Sequence, residues 1–287
     1  MPPWTALGRV SRRMAQYLRH DFTYHTPGER PFWIAFDAAY YLIFSASRKL
    51  LGKRRTRRLK ELLPFELAYE WATLPNTDRL RLRRVHRAVI REVYDEEIYG
   101  RVPLRPGDGV IDAGAHWGVF TTWAARRVGP TGHVIAVEPD PINFAELERN
   151  VRRNGLTNVT LVQAGLWDVP GKGSMTQGVG PRAAQMEQVD PSGGSLALLT
   201  LDEVLERHPL PRLRMVKVDV EGAELRVLRG GSRAIAQRPH FAMEIHPEGC
   251  DADALEKLLR DAGYAIQSTR AEDGEGHLYM LWATAKA

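Results

Sequence analysis

Cysteine is nearly absent: Cys250 stands alone in a chain of 287 residues. One thiol excludes an internal disulfide and a zinc cluster built on thiolates, and it fits a reducing compartment. A run of ~20 apolar residues, the length a membrane-spanning helix needs, is also missing. The nearest approach is "PFWIAFDAAYYLIFSA" at residues 31–46, which is short and carries Asp37. Arg9, Arg12, Arg13 and Arg19 interrupt the apolar core that a secretory leader would need, so the expected location is cytoplasmic. No repeat of fixed period occurs.

Charge is present but lopsided. Residues 1–60 hold 13 Lys/Arg against 3 Asp/Glu, a net of +10, while the remainder holds 27 against 32, a net of −5. A basic arm joined to an acidic body meets an anionic partner or simply solvent. Three readings of residues 31–60 stay open. The apolar run and the "SRKLLGKRRTRRLK" after it form a helix packed on the body or on a second copy, as in a homodimer. Alternatively they form an interfacial helix with a polybasic anchor, peripheral on the cytoplasmic face of an anionic membrane. Third, the arm binds nucleic acid.

Residues 1–75 read as a basic, helical, irregular extension punctuated by Pro64 and Pro75, and residues 76–287 as the main domain. A second basic helix is expected from Thr77 to about Ile98, with Leu80, Leu82, Val85, Val89 and Val93 on one face. After Asp108 short β-branched runs alternate with amphipathic segments. The runs are "VIDA" (110–113), "HVIAVEP" (133–139), "NVTLVQA" (158–164), "MVKVDV" (215–220), "HFAMEIH" (240–246), "YAIQST" (264–269) and "HLYMLWAT" (277–284). Helices are expected near 118–128, 141–154, 201–207, 222–229 and 251–262. Asp140 before Pro141 marks one helix start, and "TLDE" (200–203) is a capping box for another. The pattern predicts an α/β fold: a mostly parallel seven-stranded sheet with helices on both faces and a terminal antiparallel strand. The long segment 168–199 is either a lid over the substrate or a β-hairpin insertion without ligand contact.

The stretch "GVIDAGAHWGVF" (109–120) asks for a nucleotide-like ligand. A dinucleotide turn wants G-x-G-x-x-G so that backbone N–H groups can hold a pyrophosphate. Here His116 replaces the middle glycine between Gly114 and Gly118, and Asp112 would repel a pyrophosphate. A carboxylate beside open carbonyls suits a cation instead. S-adenosyl-L-methionine carries an ammonium and a sulfonium and no phosphate. Glu138 closes the second strand, 26 positions after Asp112, where a carboxylate can accept both ribose hydroxyls. Asp112, Gly114, Gly118 and Glu138 are therefore the expected cofactor-binding residues. Their bland alternatives are helix-capping acids, with His116 and Trp117 packed over the turn.

With these residues in place, the chain from Asp108 to about Pro247 resembles the FkbM family of S-adenosylmethionine-dependent methyltransferases. The resemblance rests on "GDGVIDAGAHWGVFTTWAA", "VIAVEPDPINFAELERNV", "TLDEVL", "VKVDVEGAELRVLRGG" and "MEIHPEG", in that order. It implies a Rossmann-like methyltransferase fold over the main domain, and O-methylation of a hydroxyl on a sugar, glycolipid or polyketide-type acceptor. His116-Trp117 departs from the commoner Asn followed by a small apolar residue.

Methyl transfer from a sulfonium is an in-line displacement, which needs an aligned nucleophile and a destination for its proton. Lys217, Asp219 and Glu221 alternate onto one face of the fourth strand, as do Glu244 and His246 on the fifth. Strands lie about 4.8 Å apart, so Asp219, Glu244 and His246 are expected to converge as the catalytic residues. Lys217 needs a partner inside its apolar run, Asp219 or Glu244. Glu221 reads as a cap of the next helix. In one mechanism His246 or Asp219 is the general base. In the other, Asp219 and Glu244, with His246 as a third donor, hold a divalent cation such as Mg²⁺. Cys250 is expected to be inert.

The rival function is an RNA methyltransferase that uses the basic arm. Its site signatures are incomplete: the turn after strand four is "DVEG" rather than an Asn/Asp-Pro-Pro-aromatic turn, and a second lysine is lacking. Nucleic acid is thus the less favoured partner. A NAD oxidoreductase and a non-catalytic scaffold fit Asp112 and Glu138 poorly.

Overall fold

A computed structural model describes residues 69–83, 88–176, 185–187, 194–269 and 279–286. The expected helical extension of residues 1–68, with the apolar and basic stretch 31–60, lies outside the described residues. The chain divides into two compact units, Met1–Ile90 and Arg91–Ala287. Among the described residues no helix is long and apolar enough to cross a membrane.

The first unit corrects the expected helix from Thr77. Strands β1 (Tyr69–Thr73) and β2 (Arg79–Arg83) form an antiparallel hairpin with Ala72 opposite Leu80. Residues 69–73, expected within the helical extension, are therefore extended. Leu80 and Leu82 are fully buried between arginines, a period of two rather than 3.6. Thr77 occupies the left-handed region (φ 71°) and turns the chain. Among the described residues of the expected helix, Ala88–Tyr94 is helical (α1).

The second unit alternates strands and helices in the expected sequence. In chain order these are β3 (Gly109–Ala113), α2 (Val119–Val128), β4 (His133–Val137), α3 (Pro141–Arg153) and β5 (Val159–Val162). Next come β6 (Gly165–Leu166), β7 (Gly171–Thr176), β8 (Gln185–Glu187), β9 (Leu196–Leu199), α4 (Leu201–Arg207) and β10 (Leu213–Val218). Last are α5 (Glu224–Arg229), α6 (Ser232–Ala236), β11 (His240–Ile245), α7 (Ala252–Asp261), β12 (Tyr264–Ser268) and β13 (Tyr279–Ala285). The seven-stranded sheet runs β12-β13-β11-β10-β3-β4-β5. β13 is antiparallel to both neighbours. It is wedged between β11 and β12 rather than set at the edge.

This order decides where a ligand goes. The chain leaves β3 toward β4 and β5, then returns to lay β10 on the other flank of β3. The pair β3 and β10 is thus the switch point of the sheet, at whose carboxyl ends open α/β folds hold ligands in a crevice. Ile111, Ile135, Val216, Phe241 and Leu281 are fully buried in one core that makes the crevice floor rigid. Helix ends follow the sequence signals. Asp140 accepts from the N–H groups of Ile142 and Asn143, and Thr200 and Glu203 complete their capping box.

The described part of segment 168–199 is mostly strand. β7 pairs antiparallel with β8 and with β9, in a small sheet of order β6-β9-β7-β8. Residues 177–184 and 188–193, where a lid would reach furthest, lie outside the described residues.

Candidate active site

The turn after β3 is built on two glycines. Gly114 has φ +82°, and a Cβ there would sit 1.8 Å from the backbone oxygen of Asp219. Gly118 has φ +84° and begins α2, its absent Cβ giving way to Leu147. No side chain fits at Gly114, because the turn after β3 lies directly on the loop after β10. The N–H of Asp219 donates to the Ala113 oxygen at 3.0 Å, which fastens the same contact.

Asp112 lies beneath this turn and is wholly buried. Its Oδ2 accepts from Thr121 Oγ1 at 2.6 Å, and its Oδ1 lies 3.2 Å from Lys217 Nζ. Lys217 also donates to the Gly114 oxygen at 2.7 Å and stands 3.6 Å from Asp219 Oδ2. The nearest carboxylate to Lys217 is thus Asp112, its registered neighbour across β3, rather than Asp219 or Glu244. Burial opposes the ammonium charge, but Asp112 and Asp219 outweigh it and hold the Lys217 pKa above its ordinary value.

Glu138 is buried at the end of β4 and grips the turn from the other side. Its Oε2 accepts from the His116 N–H at 2.8 Å, and its Oε1 from the Asp140 N–H at 3.0 Å. Burial pushes its carboxyl up to about 7, against the lowering effect of these hydrogen bonds. Trp117 is 1% exposed, with Nε1 donating to Asn143 Oδ1 at 2.9 Å, and the His116 ring rests on it at 4.2 Å. Both pack over the turn. His116 does so with φ 50°, a left-handed position that Asn tolerates better.

The loop after β10 carries the second cluster. Glu221 (φ 54°) and Gly222 (φ 103°) bend it back, and Gly222 packs against Gly249 of the loop after β11. His246 is clamped there. Its Nδ1 lies 2.9 Å from Glu224 Oε1, and its Nε2 lies 3.4 Å from Glu221 Oε2. Glu224 is fully buried and also accepts from the Gly222 N–H. Burial works against charge on the imidazole, but Glu224, Glu221 and Asp219 outweigh it and raise the pKa to about 9. These carboxylates favour the protonated form of the imidazole.

Asp219, Glu221 and His246 each offer one ligand atom, all within 4.8 Å of one another. The expected convergence of Asp219, Glu244 and His246 is thus modified, with Glu221 taking the place of Glu244 in the tight set. The cap expected of Glu221 is not made: Ala223 holds the N-cap position of α5, and Glu224 serves the loop N–H. The left-handed bend at Glu221 turns its carboxylate back to His246. Glu244 stays close enough to feel Asp219, and burial first, then that charge, raises its pKa to about 8. Cys250 is buried, and burial with Glu224 pushes its thiol up to about 12, which keeps it unreactive.

Two residues went unnoticed in the sequence. Tyr99 and Glu92 precede the glycine turn, in a stretch with no motif, and both feel the Asp219 charge. Only the fold brings them within reach of that charge.

A model of the methyltransferase FkbM domain matches residues 112–266. The chain is 28% identical over 226 residues to the hexuronic acid methyltransferase AglP of Haloferax volcanii, a match covering 78% of this chain and 88% of that one. It is 28% identical over 212 residues to the 31-O-demethyl-FK506 methyltransferase FkbM of Streptomyces tacrolimicus, covering 61% and 80%. A crystal structure of methyltransferase FkbM from Methylobacillus flagellatus superposes with a TM-score of 0.45 at 21% identity, over 64% of this chain and 46% of that one.

Proposed function

Because this chain belongs to the FkbM methyltransferase family and is an S-adenosylmethionine-dependent methyltransferase, we propose that it methylates a hydroxyl of a sugar, glycolipid or polyketide-type acceptor. The observation that carries this reading is the contact of the Asp219 backbone with Gly114. The glycine turn is the natural seat of the donor's methionine end, so Asp219 stands where the methyl group would be presented. The names of the relatives, which act on a hexuronic acid and at a 31-O position, support oxygen as the nucleophile.

In this reading Gly114 and Gly118 shape the donor seat and Glu138 accepts the ribose hydroxyls. Asp112, already engaged by Thr121 and Lys217, acts through the turn it holds. Asp219 takes the acceptor's proton, while the charged His246 and its carboxylate neighbours fix the loop. Glu244 lies alongside as a further acidic group. A second reading uses the same place: Asp219, Glu221 and His246 could bind a divalent cation, with Mg²⁺ or Mn²⁺ suited to the oxygen donors. The cation would lower the pKa of the acceptor hydroxyl.

Donor binding is tested through Glu138. Glu138→Ala weakens S-adenosylmethionine binding by ~1.5–3 kcal/mol, the scale of hydrogen bonds to a charged group. The folded carboxyl titrates at about 7, above its ordinary 4.5. Its contribution to stability is therefore complete below the ordinary value and is lost as pH rises through 7. The ribose needs the ionised form, so donor affinity follows the opposite sign and falls as pH drops through 7. Calorimetry between about pH 6 and about pH 8 should show this slope in the native protein and not in Glu138→Gln. Unchanged affinity in a folded Glu138→Ala would remove the ribose assignment.

For residues 31–60 the net charge supports peripheral contact with an anionic membrane, with the catalytic unit on its cytoplasmic face. Each basic residue close to such a surface contributes about 1 kcal/mol, screened beyond a Debye length. Flotation should recover the protein with anionic vesicles at low salt and release it at high salt. Absence from vesicles in every condition leaves a packing or dimer element, and a tighter salt-sensitive complex with RNA restores the nucleic-acid reading.

A further inference from the structure

Lys217 reaches three parts of the site at once. Its Nζ donates to the Gly114 oxygen of the glycine turn at 2.7 Å and lies 3.2 Å from Asp112 Oδ1 beneath that turn. The same nitrogen stands 3.6 Å from Asp219 Oδ2 on the loop after β10. The sheet register puts it there. Its neighbour across β3 is Asp112, and its neighbour across β11 is Ala242, which offers no side-chain acceptor. An ammonium has three N–H groups to share among these three oxygens. The Lys217 side chain is 5% exposed and closed to a ligand, whereas the Asp219 carboxylate, at 29%, is open to one. Lys217 therefore acts on the reaction through another residue.

Asp219 is that residue. Its backbone is fixed, since its N–H donates to the Ala113 oxygen at 3.0 Å and its own oxygen crowds Gly114. Its side chain keeps two rotatable bonds, and Lys217 is not the sole cationic partner within reach. A carboxylate oxygen of Asp219 also lies within 4.8 Å of a His246 ring nitrogen and of a Glu221 oxygen. The ion pair with Lys217 opposes a swing toward His246 and keeps the carboxylate beside the turn. Because the same ammonium holds the Gly114 oxygen, one group sets the spacing between the turn and the base. In-line displacement depends on such spacing, and an error of about 1 Å costs ~10²-fold in rate.

We propose that Lys217 is a positioning residue for methyl transfer, its ammonium holding the Asp219 carboxylate against the glycine turn so that base and bound donor keep one geometry. This rests on the hydroxyl-methylation reading above. The acceptor O–H proton passes to Asp219. A lone pair of the oxygen forms the O–CH₃ bond, and the S–CH₃ bond breaks with its electron pair left on sulfur. The products are a methyl ether, neutral S-adenosylhomocysteine and a protonated Asp219. Lys217 gives up no proton.

Lys217→Met alone would strand Asp112 as a buried anion without its cation. The test therefore starts from Asp112→Asn, which removes that charge, and adds Lys217→Met, Asp219→Asn or both. Turnover is read at saturating tritium-labelled S-adenosylmethionine, with methyl glycosides, glucuronic acid and glycerol as hydroxyl probes. Lys217→Met is expected to lower kcat by about 10- to 100-fold while Asp219 is present. After Asp219→Asn it should lower kcat by less than about threefold, because the group it positions is gone. Donor Kd changes by less than about fivefold, the scale of one lost hydrogen bond. Lys217→Gln in the native chain, whose amide keeps a donor for Asp112, must show the same dependence on Asp219. Equal losses with and without Asp219 assign Lys217 to the fold alone and overturn the proposal. An undiminished kcat overturns it too, as does a donor Kd that weakens in step with the rate. A native protein that binds donor but methylates no hydroxyl probe overturns the hydroxyl-acceptor reading, and the role of Lys217 with it. That failure appears before any substitution and so is distinct from the others.

Discussion

Asn in place of Asp219 lowers turnover by ~10²–10⁴, the range for losing a group that accepts a proton in the transition state. Donor affinity stays close to native. The substitution is nearly isosteric, and the contact that seats Gly114 uses the Asp219 backbone, which Asn retains. The fold survives for a related reason. Lys217 loses a carboxylate at 3.6 Å but keeps Asp112 at 3.2 Å and the Gly114 oxygen at 2.7 Å. Single-turnover kinetics with prebound donor separates this step from binding. EDTA distinguishes the two versions of the chemistry: activity lost to chelator and restored by Mg²⁺ replaces the general-base version with the cation held by Asp219, Glu221 and His246. Full turnover in Asp219→Asn removes Asp219 from catalysis in either version.

The second large effect is expected at Gly114. A methyl group there would lie 1.8 Å from the Asp219 oxygen and 2.9 Å from its carbonyl carbon, on a backbone at φ +82°. Backbone cannot rotate away as a side-chain tip can, so the turn and the loop after β10 must separate. Strain in the left-handed region costs of order 1–3 kcal/mol, and forced backbone shifts in a packed site add ~1–3 kcal/mol. Gly114→Ala should therefore lose ~2–6 kcal/mol of stability and nearly all donor binding. Gly155→Ala is the control, since Gly155 has φ +60° but nothing within 4 Å. It should cost only the conformational part, ~1–2 kcal/mol, and leave donor affinity alone. If both variants melt alike and bind donor alike, the close approach of the two loops has no energetic weight.

Much of the second unit is legible because its central strands are buried on both faces and some of its helices carry explicit end signals. "VIDA", "VIAV" and "MVKV" have no polar face for a helix to present. Asp140-Pro141 and Thr200 with Glu203 mark starts by hydrogen bonds that residue types alone reveal. The hairpin at 69–83 escapes the pattern because Leu82, Val85, Val89 and Val93 step by three and four, as on a helix, while Leu80 and Leu82 alone show the strand's step of two. Its turn carries Thr77, not glycine, in the left-handed position. The convergence of Asp219 and His246 is legible from strand alternation. Glu221 was misassigned because an acid before a helix usually caps it, and only its left-handed backbone aims the side chain elsewhere. Tyr99 was beyond reach, since its place depends on Trp282, a residue 183 positions later, holding Ile98.

The wedged position of β13 sets an order of assembly that differs from the order of synthesis. β12 leaves the ribosome first but has no partner other than β13 in the sheet. Until Tyr279–Ala285 arrives, the nascent sheet ends at β11, whose strand leads directly into His246. That unpaired edge is a template for wrong pairing with other chains during translation. Docking of β13 covers that edge and gives β12 its partner in the sheet.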